Sequence, residues 1–154
     1  MLLVAIVPVL SLQVFLRASL THQTPTFVQP SGQQQLELTG RGRQMFSCVD
    51  DAWEAEGGDA QLYSADGRNV GHHYPEDHKV VFNLDNGNKI IATKTGSEAS
   101  PNGASNAPWL SLNVISGPYK SITRTFTSGG VPPSQTCQTG EQANSDYSAE
   151  YTFY

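Results

Sequence analysis

The stretch KVVFNLDNGNKIIATK, residues 79–94, decides the fold class. Val80, Phe82 and Leu84 recur every second residue, which puts them on one face of an extended strand. Asp85-Asn86-Gly87-Asn88 follows, and Lys89–Lys94 resumes a β-branched run. Asn-Gly supplies the two positive φ values that a tight primed turn requires, so the stretch reads as a β-hairpin.

The same period continues on both sides. Upstream, Gln34–Leu38, Arg43–Val49, Trp53–Ala55 and Ala60–Tyr63 read as short strands, and Ala65-Asp66-Gly67-Arg68 as a second hairpin turn. Downstream, residues 95–107 (TGSEASPNGASNA) carry no large apolar side chain and read as an exposed loop. Pro108–Ile115 sets Leu110, Leu112 and Val114 on one face and Trp109 and Ile115 on the other, the pattern of a central strand. Ser121–Thr127 sets Ile122, Arg124 and Phe126 against hydroxyl residues. A Gly/Pro loop over 128–140 precedes a last strand, Tyr147–Tyr154, with Tyr147, Ala149, Tyr151 and Phe153 on one face. No segment has a helical stripe. Short strands separated by regular turn signals predict an all-β, single-domain β-sandwich or barrel of mainly antiparallel strands.

A chain of 154 residues fits one domain. Its net charge is −5, and its nine Lys and Arg are scattered. Nucleic acid and polybasic membrane contacts both need clustered cations, so neither is expected. Leu2–Leu16 is apolar except for Pro8, Ser11 and Gln13, too short for a span of roughly 20 residues. It resembles the core of a secretory signal, although no Lys or Arg precedes it and the small-residue site near Ala18 and Ser19 is loose; an uncleaved anchor is the alternative. The expected organisation is a signal peptide over 1–20, a polar arm over 21–34 and an all-β domain over 35–154. The expected location is extracellular, with no membrane span after cleavage. Cys48 and Cys137 lie outside any CxxC pair. In a secreted chain two such cysteines usually bond to each other; two buried free thiols are the alternative.

Several stretches together resemble a known family. They are Gly42-Arg43-Gln44-Met45-Phe46-Ser47-Cys48, Trp53, Ala60-Gln61-Leu62-Tyr63, Gly71-His72-His73-Tyr74, Ala107-Pro108-Trp109-Leu110, Thr127-Ser128-Gly129-Gly130-Val131-Pro132-Pro133 with Cys137, and the closing Tyr147–Tyr154. In this order they look like the secreted fungal and bacterial proteins of unknown function grouped as DUF3455, over about residues 30–154. The resemblance implies an all-β secreted domain with no established activity, and its two cysteines at these positions support a Cys48–Cys137 disulfide. Some members of that family are labelled malate dehydrogenase. The residues give this label no support: Gly40-Arg41-Gly42-Arg43 lacks the third glycine of a dinucleotide turn and leads into a strand. The family pattern is Gly-x-His-Tyr, which His73 and Tyr74 match and to which His72 and His78 are additions.

GHHYPEDH, residues 71–78, is the densest candidate chemistry. On a strand His72 and His73 point to opposite faces and do not share an ion. A turn at Pro75-Glu76-Asp77 leaves His73, His78 and Asp77 as the metal set to weigh, against a solvated loop between strands. Asp50, Asp51, Glu54 and Glu56 beside Trp53 have the residue types of a glycosidase acid pair, but they flank turns in a short segment and read as a solvated acidic rim. No Gly-x-Ser-x-Gly elbow occurs. His73, Tyr74, Trp53 and Trp109 are the ligand-binding candidates, aromatic platforms of the kind sugars stack on. The sequence therefore favours a non-enzymatic binding or structural module without a cofactor, its partner class a cell-wall or matrix polysaccharide. The alternative is a small hydrolase or metal-dependent enzyme using His73, Tyr74 and a nearby carboxylate.

Overall fold

The computed structural model describes Gly32 and residues 34–154. The signal-like segment and nearly all of the polar arm fall outside the described residues. Among the described residues eight strands follow one another: β1 (Leu36–Val49), β2 (Ala52–Tyr63), β3 (Asn69–Glu76), β4 (Lys79–Leu84), β5 (Lys89–Glu98), β6 (Trp109–Ser116), β7 (Ser121–Gly129) and β8 (Gln142–Phe153). Each pairs antiparallel with the next, and β8 returns to β1 to close a barrel. The seam runs from Leu36↔Phe153 to Ser47↔Gln142. Closure leaves no sheet edge to be covered. The fold is all-β as expected, and of sandwich and barrel it is the barrel.

Two pairs of short predicted strands are each one long strand. Gln34–Leu38 and Arg43–Val49 fuse through Gly40 and Gly42 into β1; Trp53–Ala55 and Ala60–Tyr63 fuse through Gly57 and Gly58 into β2. Gly40 and Gly58 lie where large rings cross the interior. A Cβ on Gly40 would stand 2.7 Å from the Tyr151 ring, and one on Gly58 would stand 2.4 Å from the Tyr147 hydroxyl. In a small barrel, small residues opposite large ones are what lets the interior fill. β5 also runs four residues past Lys94, into the stretch that reads as loop. Residues 71–76 are strand rather than solvated loop, and only Asp77 and His78 form the turn.

The predicted hairpin at 79–94 is β4–β5, but its turn differs in type. Gly87 has φ 89°, and Asn86 has no positive φ. The Gly87 amide donates to Leu84 O (3.0 Å) and the Leu84 amide to Asn88 O (2.9 Å). This is a turn centred on Asp85-Asn86, with Gly87 as the left-handed residue after it. Ser64–Arg68 repeats the arrangement between β2 and β3, with Gly67 at φ 80°. Two-residue turns with both φ values positive occur instead at Asp50-Asp51 (49°, 61°) and Asp77-His78 (50°, 59°).

The two ends of the barrel differ. At one end, where β1 begins and β8 stops, Leu38, Leu62, Phe82, Leu84, Ile90, Ile122 and Phe153 fill the interior. At the other end the aliphatic filling stops. Loop 99–108 and loop 130–141 rise there, beside the Asp50-Asp51 and Asp77-His78 turns. Cys48, at the end of β1, is bonded to Cys137 in the second loop, with Cα atoms 6.0 Å apart. The loop is further tied by Trp53 Nε1 donating to Ser134 Oγ (3.3 Å) and by the Asp51 amide donating to Thr139 Oγ1 (3.0 Å).

Candidate ligand cavity

The open end holds a cavity of about 390 Å³. An eight-stranded barrel is just wide enough for side chains to fill it or for one small ligand, and this barrel does each at a different end. Strand alternation selects the floor. Gln44 on β1, His73 on β3, Arg124 on β7 and Tyr151 on β8 all point inward and are almost wholly buried. Phe46, Leu110, Val80 and Trp53 make apolar wall, and Val131 and Pro132 of the disulfide-tied loop close one side. Lys79, Lys94, His78 and Glu56 also line it and are more exposed, forming the rim.

Glu56 reaches the rim through a β-bulge. Gly57 pairs with Met45 and Ala55 with Phe46, so Glu56 is the extra residue of β2. Bulges next to sites re-aim a side chain in this way. The Ser47 hydroxyl donates to its carboxylate. A second bulge, between Thr125 and Ser128, holds Phe126 at φ 47° and turns it outward, 59 % exposed. Ile122 and Arg124 keep the inward direction expected for that face; Phe126 does not.

Three floor groups form one polar unit. Arg124 Nη1 donates to Gln44 Oε1 (3.2 Å) and Nη2 to Pro108 O (2.8 Å). Its guanidinium also reaches the Tyr151 hydroxyl, which is 2.9 Å from the Tyr147 hydroxyl. Arg124 Nε is buried without an acceptor among the described residues. Burial raises the pKa of Tyr151 and of Tyr147 above the ordinary phenol value, so both stay neutral hydroxyls. His73 stacks on Phe82 (ring centroids 4.6 Å apart), and its Nδ1–H donates to Val81 O (3.1 Å). Burial pulls its pKa down to about 4, with the nearby Arg124 charge acting in the same direction and the Val81 bond opposing. At neutral pH the ring is uncharged, with Nδ1 protonated.

Of the four ligand candidates read from the sequence, His73 and Trp53 line the cavity. Tyr74 is on the outer face of β3, its ring 5.1 Å from that of His72, and His72 Nε2 meets Asp59 Oδ1 at 2.7 Å. Trp109 packs against Phe126 (5.4 Å) at the start of β6 and is not among the lining residues. His73, His78 and Asp77 do not converge: the first is inside the barrel and the other two form the exposed β3–β4 turn. Among the described residues no group of three or more His, Cys, Asp or Glu side chains is placed to hold a metal ion. Of the acidic residues near Trp53, only Glu56 reaches the cavity. Arg124, Gln44, Lys79 and Lys94 were not singled out by sequence. The available signal was a cation on an otherwise apolar strand face at Ile122-Thr123-Arg124.

Residues 29–154 match the family model described as a protein of unknown function, DUF3455. The chain belongs to the DUF3455 family. No curated protein and no solved structure matches it. For this DUF3455 chain, the cavity itself is the source of any functional argument.

Proposed function

We propose that the protein is a secreted, non-enzymatic binding module whose ligand site is the cavity at the open end of the barrel. The observation that carries this is an apolar-walled space of about 390 Å³ over a few buried polar groups. Ligand pockets have this composition, and their volumes start near 300 Å³. The disulfide supports an oxidising compartment. A polysaccharide would enter such a cup only by a chain end, so a compact ligand suits the shape better. The enzyme reading gains no support from the geometry: Tyr74 lies on the opposite face of β3 from His73, and among the described residues no carboxylate bonds the His73 ring. With its pKa near 4, His73 is a weak base at neutral pH.

The test is a melting-temperature screen of the folded protein against short oligosaccharides and small neutral, anionic and cationic organic compounds. At least one class is expected to raise the melting temperature. Leu110→Trp, which fills the cavity wall, is expected to abolish that rise. A rise that survives Leu110→Trp places the ligand elsewhere and removes this reading; so does a screen with no rise. Consumption of a stabilising compound would favour the enzyme reading instead.

A further inference from the structure

We infer that the cavity takes a compact organic anion, a carboxylate with an apolar body, seated head-down on Arg124. This rests on reading the cavity as a ligand site and names the class of ligand.

The first ground is an uncompensated charge. Arg124 is 6 % exposed, and the partners of its guanidinium are an amide oxygen, a backbone carbonyl, a phenol and the face of the Tyr147 ring (6.0 Å to the centroid), all neutral. None of the ion pairs among the described residues includes it. Taking a cation out of water costs several kcal/mol unless an opposite charge joins it. Among the described residues Glu56 is the one carboxylate on the cavity wall, and it is exposed at the rim, bonded by Ser47. A carboxylate entering the cavity would supply the missing charge, and the planar guanidinium is the donor best suited to it.

The second ground is the sign of the wall. The chain carries 14 acidic and nine basic residues, yet among the described residues the cavity is lined by Arg124, Lys79 and Lys94 against Glu56 alone. His73, kept neutral by burial, neither adds to this field nor competes for the anion. Lys79 and Lys94 at the rim favour entry of a negative ligand.

The third ground is the wall's chemistry. Phe46, Trp53, Val80, Leu110 and Pro132 line the same cavity as Arg124. A small, fully hydrated anion would gain nothing from them. An aryl or alkyl body attached to the carboxylate would bury against them, at roughly 25 cal/mol per Å². One cation at the floor matches one negative charge at the head.

The experiment is calorimetric titration of the full chain near pH 7 with matched pairs: phenylacetate against phenylacetamide, and hexanoate against hexanamide. Sodium acetate and sulfate serve as bodiless anions. Each carboxylate is expected to bind about tenfold or more tightly than its amide, the difference one charge-assisted contact makes. Arg124→Met is expected to erase that preference. Should this variant fail to fold, the comparison of acid with amide on the native chain decides alone. Equal binding of acid and amide overturns the anion inference while leaving the cavity as a ligand site. No binding of either overturns the inference, and failure of the wider screen as well would remove the cavity reading. Acetate or sulfate binding as tightly as phenylacetate overturns the apolar body.

Discussion

His73 is neutral because burial disfavours its charged form, and this has a pH signature. Its folded-state pKa is about 4, below the unfolded value of 6.5. As pH falls through 6.5 the unfolded chain takes up this proton first. Stability is therefore complete above about pH 6.5 and declines towards pH 4, by at most roughly 3 kcal/mol for this one group. Urea midpoints between pH 7.5 and 4.5 are expected to fall, and His73→Gln, although less stable at pH 7, is expected to show a flatter decline. Parallel slopes would assign the acid sensitivity to other groups. Gly58 gives a steric test in the same layer. A Cβ there meets Tyr147 Oη at 2.4 Å and His73 Nε2 at 3.2 Å. Gly58→Ala is expected to cost about 1–3 kcal/mol by overpacking, read as a lower melting temperature. An unchanged melting temperature would show that Tyr147 can move aside. At this scale two-residue alternation separated His73 from His72, because it depends only on neighbouring residues. It gave no weight to Arg124: pattern alone does not say whether a charge on an apolar face finds a partner.

The elements were legible as strands, but their joints were not. Asn86-Gly87 marked a real hairpin and suggested the wrong turn, since the chain uses one positive φ there rather than two. The turns that do need two are filled by Asp50-Asp51 and Asp77-His78, whose residue types tolerate that region without advertising it. Among the described residues, all five non-glycine residues with positive φ, Phe126 included, lie at the cavity end. His78→Gly is expected to stabilise the protein by about 0.5–1 kcal/mol, by relieving a left-handed backbone that only glycine adopts freely. A lower melting temperature would show that the His78 side chain supports the rim by contacts that outweigh its backbone strain. The bulges at Glu56 and Phe126 were invisible for a related reason. A bulge is settled by the count of residues on the partner strand, which no local pattern records.

At the scale of the molecule, barrel and sandwich share one alternation pattern. What separates them is the β1–β8 seam, which joins the first strand to the last, from Leu36↔Phe153 to Ser47↔Gln142. The Cys48–Cys137 bond spans a sequence separation of 89 and joins a seam strand to the loop that walls the cavity. Replacing both cysteines with serine is expected to cost about 4 kcal/mol on the chain-entropy model. It is also expected to raise amide exchange over residues 131–140, read by mass spectrometry. Unchanged exchange there would show that the Trp53–Ser134 and Asp51–Thr139 bonds hold the loop unaided. The placement of the seam also gives the molecule a direction. Strand β1 starts and β8 stops at the packed end, with the Gln35 amide donating to Phe153 O. A tether spliced before Gln34 or after Tyr154 would leave from that end, so a surface coated with this protein would carry its cups facing the bulk solution.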